Sequence, residues 1–141
     1  MIVKIKRIHP NAVIPTYAKP GDAALDLTCV DYRWDMEGKY YEYRTGLKFE
    51  VPEGYVGLLF PRSSLSNKDL LLTNHVGVLD SGYRGEVTFR YKALKTPHLI
   101  YRTGERVGQI IIIPYPTITF IDSEQLSESE RGVSGYGSSG K

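Results

Sequence analysis

Asp80 and Tyr83 place an acid and an aromatic ring inside one glycine-rich stretch, Asn74-His-Val-Gly-Val-Leu-Asp-Ser-Gly-Tyr-Arg-Gly-Glu-Val-Thr-Phe-Arg90. Val76 and Val78, then Val87 and Phe89, alternate on either side of a centre holding Asp80, Ser81, Gly82 and Gly85, which predicts a β-hairpin. Side chains at the tip of two rigid strands can face a cleft, where a carboxylate serves as a base and a ring as a stacking platform. The same residues also make an ordinary Asp/Gly turn for backbone reasons alone. A second aromatic, Tyr136, is set among glycines in Arg131-Gly-Val-Ser-Gly-Tyr-Gly-Ser-Ser-Gly-Lys141. That segment reads either as a linker or as a flap that lays its ring on a planar ligand and offers phosphates backbone donors.

The elements that must position these groups are strands. Val3 and Ile5 alternate against Lys4 and Lys6 in a half-buried strand over Met1 to Ile8. Pro10, Pro15 and Pro20 then forbid regular structure until a strand over Ala24 to Val30, which carries Asp26. Asp35-Met-Glu-Gly38 predicts a turn with a return strand over Lys39 to Thr45. Leu47, Phe49 and Val51 alternate in the next strand, and Val56 to Phe60 follows Pro52-Glu-Gly-Tyr55. Pro61 to Lys68 is a polar loop with one helical turn near Ser66 to Asp69, after which Leu70 to Asn74 resumes the sheet. Ile110 to Ile113 is too short and too β-branched for a helix and reads as a strand buried on both faces, and Ile118 and Phe120 alternate in a last strand. Short strands, frequent turn signals and no amphipathic helix predict an all-β sandwich or barrel.

Size and charge narrow the partners. A chain of 141 residues is one domain, read as a β-barrel body over 1–122 and an arm over 123–141. Its net charge of +2 is spread without a basic stripe, so nucleic acid is not expected as a partner. Cys29 is the only cysteine, which excludes an internal disulfide and a cysteine-built zinc site. There is no leader at Met1, and the longest apolar run, Ile110 to Ile113, is far short of a membrane span, so the expected setting is soluble and cytoplasmic. His9, His75 and His98 have no metal-ligand spacing and read as surface or packed residues. Tyr40, Tyr41 and Tyr43 read as core and subunit contacts.

Five separated stretches, Ala23-Ala-Leu-Asp-Leu27, Pro61-Arg-Ser-Ser-Leu65, Asn74 to Gly85, Gly104-Glu-Arg-Val-Gly-Gln109 and Arg131 to Gly140, resemble in order the five motifs of the trimeric deoxyuridine triphosphatase (dUTPase) family. The match covers nearly the whole chain, and the third motif is the most specific. The resemblance implies a jelly-roll-like β-barrel or sandwich with a flexible glycine-rich C-terminal arm, a homotrimer with shared active sites, and Mg2+-dependent hydrolysis of dUTP to dUMP and pyrophosphate by water attack at the α-phosphate. Such an activity keeps uracil out of DNA and supplies dUMP for thymidylate synthesis.

By the same resemblance, Asp80 orients and activates the water, and Asp26 holds magnesium through water. Arg62, Ser63, Ser64 and Gln109 contact phosphate. Asn74 and the backbone of Gly77 to Leu79 pair with the uracil edge, and Tyr83 packs under the deoxyribose and excludes a ribose 2′-hydroxyl. Tyr136 closes over the uracil, while Arg131, Gly137, Ser138 and Ser139 belong to the flap around the terminal phosphates. Extended at about 3.3 Å per residue, the arm from Asp122 to Lys141 spans up to roughly 65 Å, enough to cap a neighbour's site.

Tyr136 stands where the family more often has phenylalanine, and Ser134 and Ser64 where glycine is frequent. The Arg-Ser-Ser-Leu version of the second motif also resembles the dCTP deaminases of the same fold. That pattern calls for an arginine where Asn67 stands and a catalytic glutamate where Arg90 stands, and neither is present. A dUTP-binding regulatory protein is the reading from another class; the carboxylate at Asp80, which binding alone does not require, favours hydrolysis.

Overall fold

The structure, a computed structural model, describes residues 1–96 and 98–135. Strand follows strand: β1 (Lys4–Arg7), β2 (Leu25–Thr28), β3 (Asp31–Asp35), β4 (Tyr40–Arg44), β5 (Leu47–Glu50) and β6 (Tyr55–Phe60) precede a short 3-10 helix, Ser63–Asn67. Then come β7 (Leu70–Leu72), β8 (Gly77–Leu79), β9 (Thr88–Ala93) and β10 (Arg106–Pro114). Two four-stranded antiparallel sheets, ordered β2-β10-β6-β8 and β3-β4-β9-β7, are joined by a β1-β5 pair. This is the all-β, jelly-roll type of architecture expected from the alternation. Among the described residues, no helix is long and apolar enough to cross a membrane.

The core lies between the two larger sheets. Leu27, Leu59, Leu79 and Ile110 from the first meet Tyr43, Phe89, Tyr91, Leu70 and Leu72 from the second in one buried cluster. Tyr91 satisfies its buried hydroxyl by donating to the Val107 carbonyl at 2.7 Å, which also ties the sheets together. Cys29 donates to the Asp31 carbonyl at 3.3 Å, and burial pushes its thiol up to about 11, so it is an inert core residue. Gly108 lets Phe89 pass: a Cβ there would lie 2.2 Å from the ring. Gly108→Ala should therefore cost about 3 kcal/mol and lower the melting temperature by about 10 °C, measured by thermal unfolding.

Several expectations are corrected. Asn74 to Arg90 is not a hairpin: β8 pairs with β6, whereas β9 lies between β4 and β7 in the other sheet. The connection between them crosses from sheet to sheet. Its register is also opposite to the valine pattern, because Gly77 and Leu79 face inward while Val76 and Val78 are exposed. A one-residue offset reverses every face of a strand, and glycine carries no hydropathic signal to reveal it. Ile110 is buried, but Ile111 and Ile112 are half-buried and Ile113 is exposed, so this run is not buried on both faces within one chain. Ile118 and Phe120 form no strand and are exposed; Pro114 and Pro116 remove two ladder donors where β10 ends. The helical turn sits a few residues earlier than expected.

Candidate active site

One cluster forms where β2, β10 and the loop after β6 meet. Asp26 is in register with Gln109, and Gln109 with Phe60, so Asp26, Gln109 and the Pro61 loop share a row. Arg62 Nε donates to Asp26 Oδ1 at 2.7 Å, and Arg106 Nη1 donates to Oδ2 at 3.0 Å. Gln109 Nε2 donates to the Pro61 carbonyl at 2.9 Å, and Arg62 Nη1 reaches Ser64 Oγ at 3.3 Å. Asp26, Arg62, Arg106 and Gln109, with exposed Ser63, Lys19 and Asp22 among others, line a cleft of about 480 Å³. Two guanidiniums and an ammonium outweigh the two carboxylates, Asp22 and Asp26, and with the hydroxyls of Thr16 and Ser63 they suit a polyanion with several phosphate oxygens.

Sequence reading left Arg106 out of the site. Strict alternation puts residues 106 and 109 on opposite faces, but β10 carries an extra residue between Arg106 and Gly108, and the bulge returns both to one face. The inward pair Val107 and Gly108, both buried, is its trace in the burial pattern.

A second, smaller cleft of about 250 Å³ is lined by Leu59, Asn74, Gly77, Leu79, Tyr83 and Glu86, among others. Its wall is β8, the edge of its sheet, whose outward backbone groups can pair with the hydrogen-bonding edge of a planar ring as they would with another strand. Asp80 is exposed at the exit of β8, and its carbonyl accepts from Tyr83 N at 3.1 Å. Tyr83 donates its hydroxyl to the Glu86 carbonyl at 3.2 Å. The Glu86 carboxylate takes Arg44 at 2.8 Å and Gly46 N at 2.8 Å, while Val87 N donates to the Leu47 carbonyl. Glu86, also absent from the expected site, braces the whole connection; its partners are some forty residues away in sequence, so no local pattern announces it. Gly85 makes room for the ring, since a Cβ there would lie 2.1 Å from the Tyr83 hydroxyl.

The two clefts stay apart within one chain. β2 and β8 are opposite edges of their sheet, and Asp80 follows Leu79, which faces Gly57 rather than the Phe60 row of Asp26. At about 4.8 Å per strand and 3.3 Å per residue, Asp80 and Asp26 are roughly 15–20 Å apart. Arg131 donates to the Ser134 carbonyl at 3.1 Å within its own segment and is exposed. Tyr136, Gly137, Ser138 and Ser139 lie outside the described residues.

Among the described residues, no group of three or more His, Cys, Asp or Glu could cage a metal ion. The donor set fits a hydrated cation instead: each Asp26 oxygen takes one arginine donor and keeps a lone pair open to a water at the cleft mouth. His98 packs on Tyr41, with Nε2 3.1 Å from its hydroxyl, and His75 is exposed at φ 58°. At the position where a deaminase would carry its glutamate, Arg90 instead pairs at 2.8 Å with buried Glu42 on β4, which Arg33 holds from the other side at 3.0 Å.

The dUTPase family model matches residues 10–140. The deoxyuridine 5'-triphosphate nucleotidohydrolase of Thermobifida fusca is 36% identical over 98% of this chain and 78% of its own. The protein of the same name from Solibacter usitatus is 36% identical over the full chain and 97% of its own. The dUTPase of Staphylococcus bacteriophage 80alpha, solved with dUPNHPP, superposes with a TM-score of 0.83 at 26% identity over 99% of both chains. With the family model matching nearly the whole chain and relatives of this identity covering it, the chain belongs to the dUTPase family.

Proposed function

We propose that this protein hydrolyses dUTP to dUMP and pyrophosphate, as a homotrimer whose sites are built from more than one chain. The carrying observation is the pairing, in this fold, of an edge-strand slot ending at Asp80 with a separate cleft lined by Arg62, Arg106 and Gln109. Uracil presents its polar edge to Asn74 and the Gly77–Leu79 backbone, and mismatched bases leave buried polar groups unpaired there. Tyr83 packs on the deoxyribose. Asp80 orients a water toward the α-phosphorus and takes its proton as the new O–P bond forms and the bond to pyrophosphate breaks, with the proton passing to solvent. Arg62, Ser63, Ser64 and Gln109 hold phosphate oxygens against the charge that builds up. Asp26 would hold Mg2+ through water, and the ion would supply charge neutralisation to the phosphates.

The trimer is supported by the separation of Asp80 from Asp26, too large for one phosphate chain to meet both in a single copy. Strongly exposed Phe120, Ile121 and Leu126 in the segment leading to the arm also favour a neighbour. The body extends over 1–122 and the arm over 123–141; Arg131, Tyr136, Gly137, Ser138 and Ser139 close a neighbour's site. A small nucleotide is the substrate, and the cytoplasm the setting, with neither nucleic acid nor membrane engaged.

Hydrolysis in 18O-labelled water tests the chemistry: the label is expected in dUMP and not in pyrophosphate, and label in pyrophosphate would overturn attack at the α-phosphorus. Sugar selection has its own test. Gly85→Ala pushes the Tyr83 ring aside at modest cost to stability, so kcat/KM for UTP relative to dUTP should rise about tenfold or more in steady-state assays.

A further inference from the structure

The loop that carries Arg62, Ser63 and Ser64 runs into the 3-10 helix Ser63–Asn67, which has no fully buried side chain of its own. Leu65 rests half-buried on the core. The internal bonds, Leu65 N to the Arg62 carbonyl and Lys68 N to the Leu65 carbonyl, both at 2.9 Å, hold the shape of this segment. Its place on the body is set at its ends. At the first end Arg62 grips Asp26, and at the other stands Lys68.

The Lys68 side chain is 16% exposed, low for a lysine, and its ammonium meets three groups. Nζ donates to the Ile100 carbonyl at 3.3 Å, lies 3.5 Å from Glu105 Oε1 and sits 4.5 Å over the Tyr101 ring. That ring is a fixed platform, buried with Tyr43 and Tyr91 each centred 5.6 Å away. The Lys68 carbonyl adds a backbone bond, accepting from Leu99 N at 3.3 Å. The far side of this joint is the turn before β10. The Glu105 carbonyl accepts from Cys29 N, and Gly104 N donates to the Cys29 carbonyl, both at 2.8 Å, so the turn is tied to the chain just after β2. Arg106 and Gln109 follow on β10. Lys68 is not among the residues lining the cleft that holds Arg62, Arg106 and Gln109; it stands behind their loop.

We propose that Lys68 is a positioning residue for the phosphate cleft: it pins the loop of Arg62, Ser63 and Ser64 to the Ile100–Glu105 turn, and so holds that loop at a fixed spacing from Arg106 and Gln109. The proposal rests on the reading of this cleft as the phosphate site. The pair with Glu105 alone contributes little, since that carboxylate is 44% exposed. The carbonyl and the ring make the joint rigid, because a mostly buried ammonium that leaves them has no water to replace both. Donors set on two separate elements grip one polyanion well only while their spacing is held. Loss of Lys68 should therefore fall on the phosphates and spare the slot along β8, which the joint does not touch.

The test compares wild type, Lys68→Met and Lys68→Arg in steady-state hydrolysis of dUTP with magnesium, with two competitive inhibitors: inorganic tripolyphosphate, which reports the cleft, and deoxyuridine, which reports the slot. Methionine keeps the apolar stem and removes the charge. Lys68→Met is expected to raise KM for dUTP and the inhibition constant of tripolyphosphate about tenfold together, with the constant of deoxyuridine within about twofold of wild type. Lys68→Arg, which can pair with Glu105 and stack on Tyr101, should return both constants to within about threefold of wild type. Should Lys68→Met fail to fold, as thermal unfolding would show, Glu105→Gln carries the test with a smaller rise, about threefold, again confined to tripolyphosphate and dUTP. Unchanged constants, an equal rise for deoxyuridine, or no recovery with arginine would overturn the positioning role. Wild type separates the two readings. If it turns over dUTP and is inhibited by tripolyphosphate, those results sink only Lys68; if it does neither, the cleft has no phosphate to hold and both readings fall.

Discussion

Asp80→Asn is expected to lower kcat for dUTP about 10³-fold while leaving the nucleotide bound. Asparagine is isosteric and can still hold a water, but it cannot take the proton that must leave as the O–P bond forms. The fold should not notice, because Asp80 is exposed and the connection around it is held by other groups: Tyr83 on the Glu86 carbonyl, Glu86 on Arg44 and Gly46, and Val87 on Leu47. Affinity for a non-hydrolysable dUTP analogue, measured by calorimetry, should therefore stay within a few-fold of wild type. Turnover near the wild-type rate with dUTP still bound would mean that the water is activated by some other group.

An effect in the opposite direction comes from mixing two inactive proteins. Asp26→Asn weakens the anchor of Arg62 and Arg106 and the proposed contact to hydrated magnesium, and it should cost at least about 10²-fold in activity. Asp26 lies on β2 and Asp80 follows β8, the opposite edges of one sheet, so in the proposed trimer a complete site takes each from a different copy. After subunit exchange at equal ratio, about a quarter of the sites in a closed cyclic assembly draw both intact residues from suitable neighbours. Activity should rise from near zero to about that fraction of wild type, with mixed species verified by native mass spectrometry. Mixed assemblies that stay inactive would place both carboxylates in the site of a single chain and contradict the composite arrangement.

The β class was legible because alternation survives at β1 and β5, where apolar side chains turn to the core between lysines and a glutamate that face out. The misreading of Asn74 to Arg90 shows what alternation omits. Val76, Val78, Val87 and Phe89 fit a hairpin well, yet sheet partners are chosen by contacts tens of residues away, Leu58 with Val78 and Glu42 with Arg90. The glycine positions that point inward, Gly77 above all, carry no apolar signal. The site shows the same division. Asp26, Arg62 and Gln109 were named from the sequence and do meet in one cleft. Arg106 was hidden by a bulge, and Glu86 by partners that only the folded chain brings near.

The most direct measurement is product analysis with magnesium across dUTP, dCTP, dTTP and UTP, following pyrophosphate and ammonia separately. Pyrophosphate from dUTP, with little from the other three, is the predicted result, because uracil selection is proposed to lie at the β8 edge and deoxyribose selection at Tyr83. Ammonia from dCTP, or dUTP bound by the protein and left intact, would contradict the account: the first would restore deaminase chemistry despite the Arg90–Glu42 pair, and the second would leave Asp80 without a reaction to serve.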